Sequence, residues 1–180
     1  VNKAASAFNP EKLLWVNQQH MMRASLPYLA GILGEQLQRL GIRTQDQALL
    51  EGVVAGQRER AKTMKEMAQN SRFFFTDTVE LDPKAAGKHL AGGGLEMLAK
   101  VSERLGALPD WNTAAIHGAL NDLATTLGAG LGKIAQPVRV AVTGTAVSPP
   151  IDATLELLGR GKSLARIDAV LARTPAARSE

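Results

Sequence analysis

The chain has 180 residues, 45% of them apolar and 21% charged, with 17 Gly, 8 Pro and no Cys, which suits one domain or two small ones sharing a core. The absence of cysteine excludes disulfides, thiolate zinc sites and cysteine nucleophiles, and three isolated histidines (His20, His89 and His117) do not make the usual His-rich metal site. The formal net charge is +4, and no apolar run approaches the ~18–20 residues that a membrane span needs.

Asn9-Pro10-Glu11 predicts a helix start, because Asn caps, Pro fits the first helical position and Glu suits the positive end of the dipole. That helix carries Leu13, Leu14, Trp15, Met21 and Met22. A second, Leu26 to Leu40, places Leu29, Leu33, Leu37 and Leu40 on one face and stops at Gly41. A longer one is expected from near Thr44 to about Asn70, with Leu50, Val53, Val54, Ala61, Met64 and Ala68 as its apolar stripe. Asp82-Pro83 starts another that runs to Leu105-Gly106, with Gly92-Gly93-Gly94 as a weak or kinked point. Asn112 or Thr113 caps a helix bearing Ile116, Leu120, Leu123 and Leu127. Val138, Val140 and Val142 alternate with other residues, as in a strand, but no pairing partner is evident. Pro137 can equally open a short helix, and helix is the expectation. Ser148-Pro149-Pro150 opens a pair of short helices with Ile151, Leu155 and Leu158, then Leu164, Ile167 and Leu171. A Pro- and Ala-rich tail from Thr174 predicts disorder. The class is all-α.

Charge is unevenly distributed. From Lys133 to Glu180 there are seven basic residues (Lys133, Arg139, Arg160, Lys162, Arg166, Arg173, Arg178) and four acidic ones (Asp152, Glu156, Asp168, Glu180). A second basic cluster is Arg58, Arg60, Lys62, Lys65 and Arg72. Such clusters on an otherwise balanced chain suggest a polyanion partner; the alternative is a solvated helix face.

Several motifs fail on inspection. Gly161-Lys162-Ser163 resembles the end of a phosphate-binding loop, but Glu156 stands where the motif needs Gly. Gly128, Gly130 and Gly132 follow a predicted helix, which suits a helix-to-helix connection better than a dinucleotide-binding turn. His117 lies beside the Ile116–Leu120 stripe and is expected to be a partly buried, satisfied histidine. Trp15 and Trp111 are expected in packing. No metal, nucleophile or acid–base constellation appears.

Longer segments carry a resemblance. Residues 8–17 (Phe8 through Asn17) resemble the FDPEKLxWxN signature that follows the catalytic half of bacterial glutamyl-tRNA synthetases. Phe74-Phe75-Thr76-Asp77 is similar to that family's aromatic-F-T-D/E segment. Residues 133–144, from Lys133 through Gln136, Pro137 and Arg139 to Gly144, resemble its K-hydrophobic-xQPxRxAxTG segment. Ser148-Pro149-Pro150-Ile151 and Leu155-Glu156-Leu157-Leu158-Gly159 resemble its SPxI/L…LELLG close. The Gly92-Gly93-Gly94 run departs from the family, where charged helix formers are more usual.

The resemblance implies a C-terminal anticodon-binding domain without its catalytic partner; the chain starts at Val1, which likewise predicts a fragment or a processed product. It implies a compact helical cage of two subdomains, at residues 1–108 (1–8 a residual linker) and 109–173, with 174–180 as the tail. The parent would be a glutamate–tRNA ligase, a class I aminoacyl-tRNA synthetase that is cytoplasmic and monomeric and uses ATP and magnesium. The family's HIGH and KMSKS motifs are not in this sequence, so the fragment is expected to hold no cofactor or metal and to be inactive alone. Its partner would be the anticodon arm of the glutamate tRNA.

By the same resemblance Gln136 and Arg139 would bond base edges or phosphate, and Ser148, Pro149 and Ile151 would pack against an unstacked base. That chemistry suits single-stranded loops. Main-chain N–H groups at the Ser148 helix start would meet phosphate. An Arg before the FFTD segment would recognise the third anticodon base, and counting back places it at Arg60, with Arg58 as competitor. On one continuous helix the two would diverge by ~200°. The reading that competes with all of this is a helical protein-interaction module without RNA binding.

Overall fold

Regular structure is wholly helical among residues 9–173, the part of the chain that the computed structural model describes. The expected linker at 1–8 and tail at 174–180 lie outside the described residues. Ten α-helices form among the described residues: α1 (Pro10–Arg23), α2 (Leu26–Arg39), α3 (Gln47–Gln57), α4 (Met64–Asn70), α5 (Pro83–His89), α6 (Gly94–Gly106), α7 (Thr113–Thr126), α8 (Leu131–Thr143), α9 (Ile151–Leu158) and α10 (Arg160–Arg173). The chain divides into two compact units that meet in sequence between Arg72 and Phe73. The division expected at 108/109 does not coincide with this one. Helices α5 and α6 precede it, yet both pack on α8, and α6 also packs on α10, burying Leu98, Val101 and Leu105 completely.

In the first unit, the Asn9 side chain accepts from the main-chain N–H groups of Glu11 and Lys12 at 3.0 and 3.2 Å, starting α1 as expected. Helix α2 buries Leu29, Leu33 and Leu37 and packs on α3 and α4. The long helix expected to Asn70 breaks between Gln57 and Met64. Thr63 Oγ1 accepts from Glu66 N at 3.0 Å, and Glu66 Oε2 accepts from Lys62 N at 2.8 Å. These reciprocal bonds make a new helix start and satisfy donors that a continuous helix would have satisfied internally. The expected stripe still points inward, except that Met64 is half-buried and Met67 is fully buried in its place.

In the second unit the glycine run is a complete break rather than a kink. Gly92 and Gly93 take φ of +58° and +93°, and a Cβ on Gly94 would stand 2.0 Å from the carbonyl oxygen of His89. Helix α8 begins at Leu131, so Pro137 lies inside it and not at its start. Lacking an N–H, Pro137 leaves the Lys133 carbonyl without its helical donor. Val138, Val140 and Val142 are all fully buried. Successive alternate residues on a helix point ~200° apart, so this pattern needs a helix covered on opposite sides, and α8 is packed by α5, α6, α7 and α10.

The buried face of α10 is Ser163, Arg166, Ile167 and Val170, while the expected Leu164 and Leu171 are half-buried. Glu156 Oε2 accepts from Thr113 N at 3.0 Å and from the Thr113 hydroxyl, tying α9 to the start of α7. Trp111 Nε1 donates to the Leu155 carbonyl at 2.9 Å, and the Arg160 guanidinium stands 5.6 Å from the centre of its ring. Trp15, expected in packing, is 60% exposed.

Candidate nucleic-acid interface

Helix α8 and the loop before α9 bring Arg139 and Ser148 together. Arg139 Nε donates to Ser148 Oγ at 2.9 Å, and Ser148 Oγ donates to the Pro149 carbonyl at 2.8 Å. Gln136 lies three residues before Arg139, so the two share a side of α8. Its Oε1 is buried and has no hydrogen-bond partner. Pro149 and Ile151 point into the protein, Ile151 being 7% exposed. The exposed apolar surface beside Ser148 is instead Val147, 76% exposed, together with Pro150.

The start of α9 differs from expectation. It lies at Ile151, not Ser148, and carries its own anion: Asp152 Oδ1 accepts from Ala153 N at 2.9 Å. Asp152 Oδ2 lies 3.0 Å from Nδ1 of His117, which is exposed rather than partly buried. A carboxylate already in the first turn repels a phosphate there.

Three of the seven C-terminal basic residues turn to main-chain carbonyls. Lys162 Nζ donates to the Phe74 carbonyl at 3.3 Å, and Arg160 donates to the carbonyls of Leu108 and Pro109. Arg166 is 5% exposed. It donates to the carbonyls of Val142 (2.6 Å), Phe73 (2.8 Å) and Thr76 (2.6 Å). Desolvation lowers its pKa below the ordinary guanidinium value, opposed by the nearby Asp77 carboxylate. The sequence signal for this residue was its place among Ser163, Ile167 and Val170 at helical spacing. Lys133 and Arg173 remain exposed, Arg139 is half-buried, and Arg178 lies outside the described residues.

In the first unit Arg60 is exposed and sits in the turn after α3, while Arg58 is the half-buried C-cap of that helix. Two side chains of α1 hold this turn: Gln18 Nε2 donates to the Glu59 carbonyl at 2.9 Å and Asn17 Nδ2 to the Lys62 carbonyl at 2.5 Å. Because the helix ends here, the ~200° divergence argued for Arg58 and Arg60 does not apply. Lys62, Lys65 and Arg72 are also exposed.

The family model described as the anticodon binding domain matches residues 20–171 of this chain. The chain belongs to the anticodon-binding-domain family. Glutamate–tRNA ligase 1 of Alkalilimnicola ehrlichii is 50% identical to this domain over 171 residues, which cover 95% of the chain and 36% of that relative. Glutamate–tRNA ligase 2 of Halorhodospira halophila is 48% identical over 93% of the chain and 35% of its own length. The domain thus spans little more than a third of these relatives. Its fold matches that of a glutamate tRNA ligase from Elizabethkingia meningosepticum with a TM-score of 0.81 at 24% identity, over 92% of this chain and 32% of that one. Among the described residues of the domain, no group of three or more His, Asp or Glu side chains is placed to hold a metal ion. No helix among them is long and apolar enough to cross a membrane.

Proposed function

We propose that this domain reads the anticodon arm of the glutamate tRNA as the C-terminal part of a glutamate–tRNA ligase. The observation that carries the reading is the junction of Arg139 with Ser148, which joins the QPxR segment to the SPxI turn inside a chain of the anticodon-binding family. A guanidinium at this turn offers planar N–H donors of the kind suited to base edges or phosphate, the chemistry by which proteins recognise unstacked loop bases. Gln136 supplies an acceptor on the same side of α8. Val147 and Pro150 offer apolar surface beside it, with Ser148, Pro149 and Ile151 shaping the turn beneath.

Arg60, exposed on its turn in the first unit, reads the third anticodon base in this proposal. Ligation of glutamate with ATP and magnesium belongs to the catalytic part of the parent enzyme, which is a cytoplasmic monomer. The test is titration of the chain with the anticodon stem-loop of the glutamate tRNA. Binding that Arg139→Gln weakens by one to two decades supports the reading, since a good base contact is worth ~1–3 kcal/mol. Tight, salt-insensitive binding to a protein with none to RNA would favour a helical interaction module instead.

A further inference from the structure

Helix α1 is sparsely covered. Helix α2 packs on α3 and α4, whereas α1 has no comparable contact with any helix among the described residues. Of its 14 residues only Met21 is buried. The second half of α1 is nonetheless anchored, because Asn17 and Gln18 donate to the carbonyls of Lys62 and Glu59 in the turn that bears Arg60. The first half is apolar and open. Leu13 is 54% exposed and Trp15 is 60% exposed, and residues two apart on a helix point ~200° from each other. Apolar surface on opposite sides marks a helix that is enclosed, not one that lies on a surface. A helix of this length is also marginal in water without such packing.

We propose that the first half of α1 is the seat of the catalytic part of the parent enzyme, which encloses Leu13 and Trp15 and so fixes the helix whose other half holds the Arg60 turn. The inference rests on the function proposed above and adds to it an interface between this domain and the rest of its own enzyme. The relatives carry the body that this requires, since the chain accounts for only 36% and 35% of the two glutamate–tRNA ligases and most of each lies outside it.

Two other occupants fit less well. Leu13, Trp15 and Tyr28, the last at the start of α2, are the exposed large apolar side chains of this unit. Together they offer roughly 400 Å² of side-chain surface, about half of what each partner gives to a stable two-body interface. A second copy of the chain therefore gains too little, whereas a body carried on the same polypeptide is held at high effective concentration and needs less. RNA is disfavoured by charge. Glu11 and Lys12 cancel, and residues 10–17 carry no other charge, so this half of α1 lacks the positive field that phosphates seek.

The test is main-chain hydrogen exchange in α1, measured in this chain and in the whole parent enzyme. The expected result is that the amides of residues 13–17 exchange about tenfold or more slowly in the parent than in the chain, as packing over the helix suppresses local opening. The double variant Leu13→Gln with Trp15→Gln should leave the urea midpoint of the chain unchanged, because both side chains are largely exposed there. In the parent it should abolish the protection and raise the KM for glutamate tRNA several-fold. The comparison of the unmodified proteins stands even where the double variant fails to fold in the parent.

Equal exchange in chain and parent overturns the docking, and anticodon reading then stands if Arg139→Gln still weakens stem-loop binding. Protection of residues 13–17 in the chain on adding the anticodon stem-loop would make this an RNA surface, and protection that grows with chain concentration would make it a dimer face; either overturns the proposal. If the parent protects α1 but neither protein binds the stem-loop at low salt, the docking stands and anticodon reading falls.

Discussion

Arg139 and Ser148 are joined by a hydrogen bond of 2.9 Å whose direction is fixed by a second one. The Ser148 hydroxyl donates its proton to the Pro149 carbonyl, so its oxygen is left to accept from Arg139 Nε. Ser148→Ala removes that acceptor from Arg139 Nε. The expected outcome is a several-fold loss of affinity for the anticodon stem-loop, with folding stability lowered by no more than ~1 kcal/mol, the net worth of one exchanged hydrogen bond. Parallel RNA titration and urea unfolding check this; a stability loss with unchanged affinity would make the pair purely structural.

Arg166 is a fold residue. Its guanidinium serves three main-chain carbonyls, those of Val142, Phe73 and Thr76. Arg166→Met would leave these acceptors unsatisfied inside the second unit. Three charge-assisted bonds are partly offset by the desolvation cost of burying the cation, so the expected loss is about 3 kcal/mol. Arg166→Lys should recover only part of it, because an ammonium lacks the planar fork that spans separate acceptors. Urea unfolding of both variants measures the difference.

Gly144 closes α8 at φ +82°, and a Cβ there would lie 2.2 Å from the main-chain oxygen of Glu80. Its own carbonyl accepts from Asp82 N at 2.8 Å, so the segment has little room to shift away. Gly144→Ala should cost about 3 kcal/mol or more, of which the left-handed backbone alone accounts for ~1–2. Gly118→Ala is the control, since a Cβ on this residue of α7 meets nothing. It should stabilise by ~0.5–1 kcal/mol through helix propensity. Thermal unfolding of the two variants should move in opposite directions.

The turn that bears Arg60 is held from α1. Gln18→Ala removes the donor to the Glu59 carbonyl, and Asn17→Ala removes the donor to Lys62. Each should lower stability by ~1 kcal/mol. If Arg60 reads a base, the double variant should also reduce the preference for glutamate over glutamine stem-loops more than it reduces affinity for either. Competition binding with the two loops separates these effects.

The helix positions were largely legible because capping residues and apolar spacing are local properties of the chain. Asn9, Asp82 and Asn112 cap helices where the sequence places them. The broken helix between Gln57 and Met64 was also written in the sequence, as Thr63-x-x-Glu66, but the continuous apolar stripe concealed it. Helix α8 was obscured for a different reason: helices packed on several of its sides bury Val138, Val140 and Val142 alike, so their alternation imitates a strand. Charge misled most. Arg160, Lys162 and Arg166 count toward a basic cluster in sequence, yet each turns to main-chain carbonyls that only the folded chain brings near.

The central claim is that this domain reads a glutamate anticodon, with Arg60 discriminating at the third base. The most direct measurement is binding of the chain, and of its Arg60→Gln and Arg58→Gln variants, to the anticodon stem-loops of glutamate and glutamine tRNA at two salt concentrations. The predicted result is a preference for the glutamate loop that weakens with salt, as phosphate contacts require. Arg60→Gln should erase about one to two decades of that preference, the value of a good base contact, and Arg58→Gln should leave it in place. Equal binding of both loops by the unmodified chain would contradict discrimination by this domain, and no binding to either at low salt would contradict anticodon reading itself.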